Sequence, residues 1–196
     1  MGDTWRGNTL AMIDPQLRAH YIQLQNRVSD FFSAVMLKHS NRMKCANGCY
    51  NCCANGLTVS PIEAQSILDF LKASEERLAS IEQLQLENPH RDLHCKFLGR
   101  EGECLIYEAR PLICRSHGAP VQYRQPEAET PFRDVCPLNF EGVDLDQLQT
   151  SEILNMETVN TLLSILNSQF DRERLTERIP MKDLIQLARE IRNSNF

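Results

Sequence analysis

The chain has 196 residues, a formal net charge of −5, 42% hydrophobic and 24% charged residues, and only 8 Gly and 9 Pro. That composition excludes a disordered or fibrous chain and supplies a core of ordinary size, so a single domain over residues 1–196 is expected. The first 44 residues carry 6 Lys/Arg against 3 Asp/Glu and the remainder 15 against 23, which provides no basic face for nucleic acid, so no nucleic-acid partner is expected.

The opening segment, MGDTWRGNTLAMIDPQ, holds no apolar run suited to a signal peptide. Arg6 stands where the myristoylation pattern begun by Met-Gly needs Ser or Thr. No stretch approaches the ~18 apolar residues of a membrane span. A cytoplasmic protein without membrane contact is therefore expected, and in that compartment disulfides are rare.

Residues 15–38 predict a helix. Leu17, Tyr21, Leu24, Val28, Phe31 and Val35 step by four and three along one side, and Asp14-Pro15 supplies a cap followed by a first helical residue. The stripe reads as core packing rather than a partner face. Next comes KCANGCYNCCANG at 44–56, with Cys45, Cys49, Cys52 and Cys53 inside nine positions. The following helix opens at VSPIEAQSILDFL, with Ser60 as N-cap, Pro61 in the first turn and Glu63 completing a capping box. Ala64, Ile67, Leu68 and Leu71 form its inner face. Helical character runs to about Gln85 with a kink near Ala73–Ser74, and Asn88-Pro89 stops it.

Residues 94–118 have short apolar pieces, CKFL and CLIY, on either side of GREGE, which predicts a small β-hairpin. Pro111 begins a short helical turn carrying Cys114. Residues 118–135, with Pro120, Pro126 and Pro131, read as a loop, and CPLNF at 136–140 closes the cysteine-bearing part. The chain ends in two helices. One has Val159, Leu162, Leu163, Leu166 and Phe170 on its apolar face. The other has Pro180 in its first turn and Met181, Leu184, Ile185, Ala188 and Ile191 facing inward. The expected class is mainly α, with a helical frame around an irregular cysteine-rich metal-binding core at 45–140 and a small β-hairpin.

All eight cysteines lie between positions 45 and 136, spaced Cys45-x3-Cys49-x2-Cys52-Cys53, then Cys95, Cys104, Cys114 and Cys136. A C-x2-C or C-x3-C step lets one tight turn aim two sulfurs at a shared point, and Gly48 and Gly56 allow the backbone angles such turns use. Thiolates bind zinc in tetrahedral sites and also hold iron–sulfur clusters. Metal ligation is the favoured reading, buried free thiols the second and disulfides the third. Neighbouring side chains point in different directions, so Cys52 and Cys53 serve two centres, or one ligates and the other is buried. Eight thiols form two four-cysteine sites or one cluster with spare thiols. A metal held by four thiolates is anionic and needs nearby donors. Arg110 and Arg115 flank Cys114 and suit that need as well as they suit a surface ion pair. Tyr107 reads as core packing before it reads as a donor to sulfur, and His94 and His117 as groups behind the ligands or on the surface before ligands.

CANGCYNCC, LTVSPIEAQSIL, CKFLGREGECLIYEARPLICRSHG and the final CP, in that order, resemble the CxxCxxCC family of YkgJ-like zinc- or iron-chelating proteins over residues 45–140. The resemblance implies chelation through Cys45, Cys49, Cys52, Cys53, Cys95, Cys104, Cys114 and Cys136. Arg110, Pro111 and Arg115 also match its pattern, while the first gap here holds three residues rather than two. A similar domain occurs in flagellin lysine methylases, which implies a link to protein modification. The leading expectation is a protein holding an iron–sulfur cluster or zinc, with iron–sulfur slightly preferred because the ligands are thiol-rich and scattered and Cys136 precedes a proline. The alternatives are a metal-dependent enzyme with an exchangeable metal position, and a structural zinc module whose helices bind a protein partner. No GxGxxG, P-loop or G-x-S-x-G motif is present, which argues against a nucleotide-cofactor enzyme.

Overall fold

The computed structural model describes residues 12–87, 93–125 and 130–194. Its described elements are six α-helices with two small sheets, mainly α with minor β, as the sequence predicts. The Arg6 reading, the Asn88-Pro89 stop and Pro126 lie outside the described residues.

Helix α1 spans Pro15–Lys38. Asp14 caps it, accepting at Oδ1 from the backbone N–H of Gln16 at 2.9 Å and Leu17 at 3.1 Å, which satisfies two otherwise unpaired donors of the first turn. Leu17, Tyr21, Leu24, Val28 and Val35 are buried, and Phe31 is only half-buried. Helices α2 (Pro61–Lys72) and α3 (Glu75–Glu87) are separated at Ala73–Ser74, where the kink was expected. The short α4 (Leu112–Ser116) follows Pro111 and carries Cys114. Helix α5 runs Met156–Phe170, and α6 runs Leu184–Ser194. Pro180 is not in the first turn of α6. It ends a strand, and a 3-10 turn at Met181–Asp183 leads into the helix.

Strand β1 (Thr58–Val59) pairs antiparallel with β5 (Ile179–Pro180). The segment 118–135 is not all loop. Its strands β2 (Val121–Tyr123) and β3 (Phe132–Asp134) pair antiparallel, and β4 (Leu154–Asn155) joins β2 in parallel. Each strand is too short to display an alternation, and Pro120 and Pro131 sit just outside the paired residues, where they remove no ladder donor. The predicted hairpin reduces to one bridge, Leu98 with Cys104, flanked by Gly99 N–H donating to Glu103 O at 2.7 Å and Leu105 N–H to Phe97 O at 2.9 Å.

Apolar burial divides into three clusters. The first joins α2, α3 and α6 through residues such as Ile67, Leu68, Leu71, Ile81 and Leu184, and Cys95, Cys104 and Cys114 pack against it. The second joins α1 to α5 through Tyr21, Val28, Val159 and Leu163. The third gathers Val35, Met43, Phe140, Leu148 and Ile153, with Phe32 and Val135 against it. The cysteine segment therefore lies between a helical core on one side and the C-terminal half of α1 on the other. Among the described residues, no helix is long and apolar enough to cross a membrane.

Candidate metal centre

Backbone pairing brings the cysteine segments together. The Ala54–His94 bridge and the Cys95 N–H bond to Cys53 O at 2.8 Å set Cys53 beside Cys95. Leu98 N–H bonds Cys95 O at 3.1 Å, and the Leu98–Cys104 bridge then returns the chain to Cys104. Cys114 arrives on α4, with its N–H on Pro111 O at 3.0 Å. Cys49 N–H closes a turn on Ala46 O at 3.0 Å, with Gly48 at φ +85°. Gly56 does not have a positive φ, so its place beside the cluster does not rest on that freedom. Gly102 (φ +84°) packs where a Cβ would stand 3.1 Å from the Gly48 Cα. The GREGE turn thus lies against the Cys49 turn.

Seven cysteines, Cys45, Cys49, Cys52, Cys53, Cys95, Cys104 and Cys114, line one cavity of about 520 Å³. Cys136 does not line it, but stands among the groups that bear on the Cys45 thiol. All eight are half-buried free thiols. Among the described residues, no three cysteine, histidine or acidic side chains are arranged as placed to hold one ion. The donor set, clustered thiols with Arg110 beside them, fits thiolate-ligated zinc or iron.

Polar neighbours fit an anionic thiolate assembly. Arg110 lines the cavity, and its Nε is one of two buried side-chain polar atoms without a hydrogen-bond partner among the described residues. An orphaned buried cationic donor is costly unless a negative group faces it. Its charge favours the thiolates of Cys52, Cys104 and Cys114. The guanidinium also stacks 3.7 Å above the Tyr107 ring, which leaves Tyr107 61% exposed by residue rather than in the core. Arg115 also lines the cavity, with the Cys114 sulfur bearing on it, and it ties the local backbone as well. Its Nε donates to Arg110 O at 2.7 Å, Nη1 to Ser29 Oγ at 2.9 Å and Nη2 to Glu108 O at 2.5 Å, so it holds the 108–115 segment to α1.

Burial pushes the Cys95 thiol up to about 11 and raises Cys45, Cys104 and Cys114 as well. Cys52 is raised chiefly by donating its S–H to Cys53, whose own value is lowered by that bond. Without a cation, most of these sulfurs are therefore neutral at pH 7, and binding a metal requires them to lose protons. His117 also lines the cavity. Its Nδ1 lies 2.6 Å from Ile113 O; since a carbonyl only accepts, Nδ1 donates there and the lone pair of the neutral ring is on Nε2. His94 stacks edge-on against Tyr50, with ring centroids 5.6 Å apart, and does not line the cavity.

Two positioning residues carry no motif. Asn139, 2% exposed, donates from Nδ2 to Cys45 Sγ at 3.2 Å and to Gly118 O at 2.7 Å, and accepts at Oδ1 from Lys44 N–H at 2.7 Å. Glu63, also 2% exposed, accepts at Oε2 from Ser60 N–H and Oγ, both at 2.9 Å, and at Oε1 from Leu112 N–H at 3.0 Å. The predicted capping residue thus also orients α4 and Cys114. CPLNF and the capping box contained both residues, but a lone Asn and a cap Glu carry no signal for these distant partners.

Residues 44–137 match the model of the CxxCxxCC family, "Putative zinc- or iron-chelating domain". No curated protein and no solved structure matches the chain.

Proposed function

We propose, from the match of residues 44–137 to the CxxCxxCC family, that the chain holds thiolate-ligated metal, with an iron–sulfur cluster preferred over zinc, on Cys45, Cys49, Cys52, Cys53, Cys95, Cys104, Cys114 and Cys136. The observation that carries this reading is the seven-cysteine cavity whose lining includes Arg110, a cation with a buried, unpaired Nε. Seven thiols around one cavity, more than one four-coordinate zinc uses, favour a polynuclear occupant or more than one centre over one zinc ion. When bound, an iron–sulfur cluster supplies electron transfer or redox sensing. The residues of the chain ligate it through sulfur, balance its charge through Arg110 and hold its loops through Asn139 and Glu63. We place the protein in the cytoplasm, as one domain, with a protein as its partner.

Purification without oxygen, followed by assay of iron, zinc and acid-labile sulfide, tests the choice of metal. Iron with matching sulfide is the expected result. Zinc without sulfide replaces the preferred metal with a structural one. A second reading, a metal centre that acts on a protein or small molecule, is favoured by one feature: Phe32, Met36, Leu57 and Phe97 share the cavity wall with the thiols. Such a wall suits an organic ligand beside a metal.

A further inference from the structure

We propose that the eight cysteines form two separate centres, an inner one on Cys53, Cys95, Cys104 and Cys114 and an outer one on Cys45, Cys49, Cys52 and Cys136, so that the adjacent pair Cys52-Cys53 divides between them. The proposal rests on the metal-binding reading above and assigns its ligands. Three arrangements bear on it.

The first is packing. Cys95, Cys104 and Cys114 lie against the core of α2, α3 and α6. Cys45 lies on the opposite side. A Cβ on Gly118 would meet Cys45 Sγ at 2.5 Å and Phe32 at 3.2 Å, and Phe32 belongs to the third cluster. Val135, next to Cys136, packs against that same cluster.

The second is backbone connection. Cys53 is tied to Cys95 by a main-chain bond, and one bridge and one turn bond connect Cys95 to Cys104. Cys45 and Cys136 are joined through Asn139. Its side chain donates to Cys45 Sγ, and its N–H bonds Cys136 O at 2.8 Å. These bonds tie three thiols of the inner set and two of the outer by separate routes.

The third is the distribution of polar partners. Asn139 donates to Cys45 of the outer set, while Arg110 lines the cavity at the boundary and bears on Cys52 as well as on Cys104 and Cys114. Cys52 stands between the sets. Cys53 already completes four thiols on the inner side, so Cys52 completes the outer four.

The test uses the full-length chain, reduced and stripped of metal, titrated with Co2+ under anaerobic conditions, with the sulfur-to-cobalt charge-transfer band as readout. The wild type is expected to take up two equivalents. The double variant Cys49→Ser/Cys136→Ser is expected to keep one, halving the band, and Cys95→Ala/Cys114→Ala to keep the other. If the inner variant loses its helical circular dichroism, the outer variant decides alone by retaining one equivalent or not. Full uptake by the outer variant, or complete loss in it, overturns the partition, as does saturation of the wild type at one equivalent. Failure of the wild type to bind Co2+ through sulfur overturns the underlying metal-binding reading itself, and the partition with it.

Discussion

The side chain of Asn139 donates to Cys45 Sγ across 3.2 Å while its Oδ1 accepts from Lys44 N–H, one residue before that cysteine. Its other Nδ2 hydrogen reaches Gly118 O, so one buried amide fixes the chain on both sides of the outer thiol. Asn139→Ala leaves Lys44 N–H and Gly118 O without these partners, at about 1–3 kcal/mol for each group that stays buried. The donated bond also lowers the Cys45 thiol against the upward push of burial. Its loss raises that thiol further, and iodoacetamide should label Cys45 more slowly in the metal-free variant at pH 8. Labelling at the wild-type rate contradicts this role.

Gly118 has φ +96°, and a methyl there would meet Cys45 Sγ at 2.5 Å. Gly118→Ala combines left-handed strain of about 1–2 kcal/mol with a contact that displaces the thiol. The variant should melt several degrees lower and bind less metal per chain. Wild-type metal content would show that the loop accommodates the methyl without moving Cys45.

Arg110 is the cation facing Cys52, Cys104 and Cys114. Arg110→Gln removes that charge, raises those thiols and lowers metal affinity by an expected factor of about 10, on the scale of one charge-assisted hydrogen bond. Arg110→Lys should restore part of the loss. Competition with a colorimetric chelator measures both. Equal affinities for wild type and Gln variant would assign the charge balance to other groups.

Glu63 joins the start of α2 to the start of α4 through three accepted bonds. Glu63→Ala strands buried donors at Ser60 and Leu112 and should destabilise the protein by about 2–5 kcal/mol. Denaturant unfolding reads the loss. A change under about 1 kcal/mol, within the range of ordinary surface substitutions, would show that water or relaxation replaces these bonds.

Much of this frame is legible in the sequence. Helices such as α1 and α5 repeat their apolar residues at helical spacing over many turns, and the caps at Asp14 and Ser60 mark where helices begin. Strands of two or three residues have no room for a period, so β2 and β3 were hidden among prolines. The cysteine spacing pointed to thiols that converge, and seven of the eight line one cavity; Arg110 was recognisable beside Cys114. The work of Asn139 and Glu63 was not, because each acts through partners at least 49 residues away or on separate loops. Arg115 was recognisable beside Cys114 too, but not its bonds to Arg110 O, Glu108 O and Ser29 Oγ, which depend on the folded path of the 108–115 segment.

At the C-terminal end of α1, Glu152 Oε1 lies 2.9 Å from Lys38 Nζ and 2.5 Å from His39 Nε2. Lys38 first and His39 second hold the carboxyl down to about 2. A depressed carboxylate contributes stability that is fully present above its unfolded value and is lost as pH falls through the folded one. Wild type should therefore lose stability relative to Glu152→Gln between about pH 4.5 and pH 2. Parallel acid-unfolding curves for the two proteins would contradict this linkage.

The central claim is that sulfur from the 45–136 segment ligates metal. X-ray absorption at the iron and zinc edges of anaerobically purified, full-length protein tests it most directly. A first shell of sulfur at about 2.3 Å, weakened in Cys114→Ser, is the predicted result. A shell of oxygen and nitrogen alone, or no iron or zinc at all, would contradict it.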